Sequence, residues 1–103
     1  MTITSRVQDA LLKNNKIAVF AGRRSGKTYS ARDLRRRISI DALIVDDAEV
    51  RHRQAAEFDE AYTYLLDCAI GDGVDIVLIG TPDSYYNHDT FDSTWTKLTI
   101  KET

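Results

Sequence analysis

Cysteine and proline are almost missing from this sequence, with one of each, Cys68 and Pro82, in 103 residues. A lone cysteine excludes an internal disulfide framework and fits a reducing compartment, so a cytoplasmic protein is expected. No run of 18 apolar residues occurs, which excludes a membrane-spanning helix. Residues 1–6 carry no basic segment leading into an apolar run, so no secretory signal is expected. Neither an internal repeat nor a low-complexity stretch is visible. Glycine is sparse too, and Gly22/Gly26, Gly71/Gly73 and Gly80 each read as a junction between elements. What is present, 43% hydrophobic and 29% charged residues, is the composition of an ordinary globular protein. The length allows a single domain over 1–103 with a thin core.

The net charge of −2 conceals an asymmetry. Residues 1–53 hold 12 Lys/Arg against 6 Asp/Glu, and residues 54–103 hold 2 against 10. Such a split suits a polyanion partner for one part of the surface, or pairing of basic and acidic faces between copies. It is equally what two halves that interleave in one fold would leave behind.

Hydrophobic periodicity organises the chain. Residues 4–14 read as an amphipathic helix with Ile3, Val7, Ala10 and Leu11 on one face. Ser5 and Gln8 have capping-box spacing, and Asn14-Asn15 a left-handed stop. Residues 16–20 form an apolar run, the pattern of a strand covered on both faces. A glycine-containing turn, 21–28, leads into a helix over 28–38, with Ala31, Leu34 and Ile38 inward. A second strand, 40–45, ends in Asp46-Asp47. A long helix over 49–70 follows, with Phe58, Ala61, Leu65 and Cys68 as its apolar stripe, ended by Gly71-Asp72-Gly73. Residues 74–79 make a third strand, 84–93 a polar and aromatic loop or short helix, and 94–100 alternate as a last strand. Strands alternating with helices imply an α/β fold with a small, mainly parallel sheet. Ligand sites in such sheets lie beyond the carboxyl ends of the strands. The three polar clusters, 21–28, 46–47 and 80–83, all fall there.

The first cluster, Ala21-Gly22-Arg23-Arg24-Ser25-Gly26-Lys27-Thr28, fits a phosphate-binding loop with Ala21 in place of the first glycine. An apolar strand precedes it and a helix follows. In such a loop the backbone amides of Gly22, Arg23, Ser25 and Gly26 curl around the β-phosphate of ATP. Lys27 reaches the β/γ oxygens, and the Thr28 hydroxyl ligates Mg²⁺ at the first turn of a helix whose N-terminus adds positive potential. In the second cluster an apolar strand ends in Asp46, placed as the Mg²⁺–water ligand, with Asp47 where many ATPases put a water-polarising glutamate. The bland alternative is an acidic helix cap. In the third, Thr81 is the candidate γ-phosphate sensor and Asp83 the second choice, against an ordinary Thr-Pro-Asp turn.

These motifs, in this order across 16–83, resemble the ATPase domain of large terminase subunits, the DNA-packaging motors of tailed phages. More broadly they resemble the additional-strand RecA-like P-loop ATPases. The resemblance implies a three-layer P-loop fold with strand order 5-1-4-3, the family's second strand missing. It implies Lys27 and Thr28 as phosphate and Mg²⁺ contacts and Asp46 as the Walker B acid. Arg23 or Arg24 would match the arginine that stabilises the transferring phosphate, with Arg24 counted among the catalytic residues beside Lys27 and Asp47. Thr81 would match the coupling position, and a phage-encoded chain would work in the host cytoplasm. Two departures stand out. About a dozen residues separate the phosphate-loop helix from the Walker B strand, too few for another strand and helix. Asp47 is one methylene shorter than the family's glutamate, and Glu49 or Glu57 could substitute only if the helix start folds them back.

Two function classes follow. One is a small phage-type ATPase acting with DNA or a DNA-processing complex, with the basic segment 23–37 tracking phosphates. His52 between Arg51 and Arg53 could extend that patch, and Tyr85 or Tyr86 could stack a base. The other is a nucleotide-binding regulator or inhibitor with little hydrolysis that docks on a larger protein. Either way a homo-oligomer or larger protein partner is expected. A small-molecule kinase has no room for lid and acceptor segments, and no Asn-Lys-x-Asp segment suggests a GTPase.

Overall fold

The computed structural model describes residues 2–22, 26–38, 41–57 and 61–100, and the side chain of Glu57 is not among them. The elements run α1 (Ile3–Leu11), β1 (Lys16–Ala21), α2 (Lys27–Arg37), β2 (Leu43–Val45), α3 (Ala48–Glu57), α4 (Ala61–Asp72), β3 (Ile76–Gly80), a 3₁₀ turn (His88–Thr90) and β4 (Thr96–Ile100). The chain is α/β, with four strands in one sheet in the order β2-β3-β1-β4, every neighbouring pair parallel. The label 5-1-4-3 differs from this order in counting a second strand that is not among the described residues; numbered by the chain's own strands the order is 2-3-1-4, with the same strands adjacent. No helix among the described residues is long and apolar enough to cross a membrane.

The apolar runs of β1 and β3 follow from burial on both faces. Ile17, Val19, Ala21, Val77 and Ile79 point to one side and pack with Ile3 and Val7 of α1 and Ala31 and Leu34 of α2. Ala18, Phe20, Ile76 and Leu78 point to the other side and pack with Ala48, Ala69, Tyr86 and Phe91. Strand alternation therefore sorts one continuous apolar sequence into two half-cores.

Several local expectations are corrected. The first helix begins at Ile3, not residue 4, because Thr2 is its cap: Thr2 Oγ1 accepts the Ser5 amide at 3.1 Å. Asp47 is the only non-glycine with positive φ among the described residues, so Asn14-Asn15 is no left-handed stop. Instead the Asn14 side-chain amide donates to Thr94 O at 2.8 Å and Thr96 Oγ1 at 3.1 Å, tying the start of β1 to the start of β4.

The long helix over 49–70 is two helices, α3 and α4. Of its expected stripe, Phe58 lies outside the described residues, and Ala61, Leu65 and Cys68 are exposed. Leu66 and Ala69 face the core instead. α4 is apolar nearly all round, so periodicity could not choose its inward side.

Tyr86 closes the second half-core. It is fully buried, and its hydroxyl donates toward Val19 O at 2.8 Å, with Leu78 O at 3.2 Å. Burial pushes its phenol pKa far above the usual range. It is unavailable for stacking a base, whereas Tyr85 is partly exposed. We expect Tyr86→Phe to cost about 1 kcal/mol through the lost hydroxyl bonds. Tyr86→Ala should cost about 3–5 kcal/mol through the cavity it leaves. Thermal melts followed by circular dichroism check both values.

Candidate functional site

Parallel pairing puts the carboxyl ends of all four strands at one edge of the sheet. Along that edge the order is β2, β3, β1, β4. The segment after β1 is therefore next to the end of β3, and the end of β2 lies one strand further out.

β1 ends at Ala21 and leads through Gly22 to Gly26, with Arg23, Arg24 and Ser25 outside the described residues. Gly26 is the N-cap of α2 in the left-handed conformation, φ 80° and ψ 26°, a backbone that favours glycine. No side chain among the described residues caps the helix there. Lys27 folds back, and its Nζ donates to Gly22 O at 2.8 Å. The ammonium thus clasps the two ends of the loop together. Thr28 is exposed beside it.

β2 stops at Val45, level with Leu78 and so with Ala18, whereas β1 runs on to Ala21. The acids after β2 thus leave the sheet short of the β1 end. Asp46 Oδ1 accepts the Asp47 amide at 3.0 Å. Asp47 is exposed, with φ 54°, and its carbonyl accepts the amides of Val50 at 3.0 Å and Arg51 at 3.3 Å. It therefore starts α3 with its backbone. Both acids line a cavity of about 520 Å³ with Arg35, Arg51, Tyr62 and Leu65. No residue of β3 lines it, so the cavity opens on the outer side of the edge strand. The Tyr62 hydroxyl is buried without a hydrogen-bond partner among the described residues, and burial raises its pKa well above the usual phenol range.

Glu49 is the residue whose importance only the fold reveals. In the first turn of α3, it swings onto the end of β3, where its Oε2 accepts the Thr81 amide at 3.2 Å. That approach requires Gly80. A Cβ there would lie 2.7 Å from Glu49 Oε2 and 3.0 Å from both the Glu49 amide nitrogen and Tyr86 Cε2. The sequence signals were a carboxylate three residues after Asp46 and a glycine closing β3.

The remaining candidates separate. Thr81 is half-buried at the end of β3. Asp83 is committed to its turn, its Oδ1 accepting the amides of Tyr85 at 2.8 Å and Tyr86 at 2.9 Å. His52 does not extend a basic patch. It packs against Tyr62, Tyr86 and Phe91 with a ring nitrogen 3.0 Å from Ala48 O. Burial holds its pKa below the usual value. Among the described residues no group of three or more His, Cys, Asp or Glu gathers as a metal cage.

Arg37 pairs with Asp33 at 2.9 Å on the surface of α2, an exposed contact of small energetic weight. Tyr29 (74% exposed), Arg32 and Arg36 stand clear on the same outer face, at i, i+3 and i+7.

Comparison with known proteins found no matching family model, no matching curated protein and no matching solved structure.

Gly80→Ala should displace the Glu49 carboxylate from Thr81 and cost about 1–3 kcal/mol by overpacking. Urea denaturation measures the cost, and the chemical shift of the Thr81 amide reports the lost hydrogen bond.

Proposed function

We propose that this chain binds ATP with Mg²⁺ at its phosphate loop and is a small P-loop ATPase of the phage type, acting with DNA or a DNA-processing complex. One observation carries this reading: left-handed Gly26 opens α2 at the carboxyl edge of an interior parallel strand, with the Lys27 ammonium bent back onto the Gly22 carbonyl. Backbone amides and a helix N-terminus there favour an anion. Lys27 adds a charge-assisted contact to the β/γ oxygens. The amides of Gly22, Arg23, Ser25 and Gly26 cradle the phosphates, and Arg24 is the candidate for stabilising the transferring group. Thr81, at the neighbouring strand end, senses the γ-phosphate.

The donor set suits Mg²⁺. That ion takes one or two carboxylates with phosphate oxygens and waters and needs no all-protein cage. Asp46, with one oxygen accepting the Asp47 amide, and the Thr28 hydroxyl would hold it. When bound, it supplies neutralisation of the charge on the β- and γ-phosphate oxygens.

The basic face supports the DNA part. Arg32 and Arg36 are exposed cations and Tyr29 an exposed ring on one helix face, the combination that meets phosphates and bases of a single strand. A nucleotide-binding regulator that docks on a larger protein is the second reading. It is favoured by the exposed position of Asp47 and by Tyr64 and Leu65, 71% and 48% exposed on α4 beside the edge cavity.

Lys27→Ala should weaken binding of a fluorescent ATP analogue about tenfold or more, the worth of a charge-assisted hydrogen bond. Unchanged affinity would sink the phosphate-loop assignment. For DNA, the double variant Arg32→Ala/Arg36→Ala should weaken binding of an oligothymidine strand. It should also flatten the slope of log affinity against log salt by about 1–2. Fluorescence anisotropy across a salt series reads both.

A further inference from the structure

We infer that Glu49, rather than Asp47, is the carboxylate that acts on the attacking water; this rests on the ATPase reading above. Three observations converge on it. First, the β3 end lies between the β2 end and the phosphate-loop strand, so a group over β3 is one strand spacing, about 4.8 Å, nearer to that loop than a group leaving β2. Second, Asp47 is spent on the turn. Its left-handed backbone starts α3, and its side chain is exposed at the outer-edge cavity beside Arg35 and Arg51. Third, Glu49 is folded back over β3, half-buried, with one oxygen on the Thr81 amide and Gly80 leaving space for it.

A carboxylate has lone-pair capacity beyond that single amide and can accept a proton from water. Thr81 is then a positioning residue, which aims Glu49 through its backbone. In the step itself the water oxygen forms a bond to the γ-phosphorus, and the bond from that phosphorus to the β–γ bridging oxygen breaks. Its electron pair leaves with ADP. The water proton passes to Glu49 and on to the released phosphate, so ATP and water yield ADP and phosphate. A well-placed general base contributes about 10²–10⁴-fold.

Wild type, Glu49→Gln, Asp47→Asn and Lys27→Ala are compared for ATP affinity, for phosphate release, and for the identity of the nucleotide recovered from the protein after denaturation. Glutamine retains an oxygen for the Thr81 amide, so a purely structural Glu49 predicts little change. We expect Glu49→Gln to bind ATP within about threefold of wild type, to release phosphate on the order of 10²-fold more slowly, and to yield ATP rather than ADP. Its loss should exceed that of Asp47→Asn by at least about tenfold. If Glu49→Gln melts early, Glu49→Asp serves instead, and withdrawal of the carboxylate by about 1 Å should cost on the order of 10²-fold in rate. Near-wild-type turnover in either Glu49 variant overturns the proposal, as does a larger loss in Asp47→Asn. A wild type that binds ATP in a Lys27-dependent manner but never hydrolyses it also overturns the proposal, while leaving nucleotide binding intact. A wild type that binds no ATP overturns both.

Discussion

Pairing of β1 with β3 on one side and β4 on the other, all parallel, is the constraint on which the rest of the structure depends. It buries β3 throughout and β1 from Ile17 onward, and makes their side chains the floor of both half-cores. It also sends every strand out at the same edge. Three polar clusters that are far apart in sequence leave the sheet on the same side for that reason alone. Without parallel register, the glycine turn, the acidic pair and the Gly-Thr-Pro segment would not share an edge.

The second consequence is the hierarchy among the acids. β2 is three residues long and stops early. Asp46 and Asp47 thus emerge short of the sheet edge, on the outermost strand. The next carboxylate in the chain, Glu49 in the first turn of α3, is the one that comes over the end of β3. Gly80 and Tyr86 complete the arrangement from below. The glycine admits the carboxylate, and the tyrosine ring and hydroxyl hold the second half-core against β1 and β3. The site edge and the core are therefore packed as one unit.

The charge asymmetry resolves only in part. Some of the positive first half belongs to the segment between β1 and α2 and some to the outer face of α2, where Arg37 is already paired with Asp33. His52 leaves the basic inventory because burial among aromatic rings disfavours its charge. Of the acidic second half, Asp59 and Glu60 lie outside the described residues, and Asp67 is exposed on α4. The exposed apolar residues Tyr64, Leu65 and Ile70 share that helix.

The sequence by itself determined the class of the fold, the places where strands and helices alternate, and the identity of the glycine that opens α2. Those features rest on local physics: an apolar run must be covered on both faces, and a left-handed helix cap favours glycine. Tertiary structure alone decided where periodicity and proximity along the chain were ambiguous. The expected helix over 49–70 divided, and α4 turned Leu66 and Ala69 inward, because an apolar helix has no single preferred face until something packs against it. Tyr86 went to the core rather than to a ligand because Phe20 and Phe91 surround it. Glu49 overtook Asp47 because strand order and the early end of β2, neither of them readable from spacing, set which carboxylate stands over the central strands.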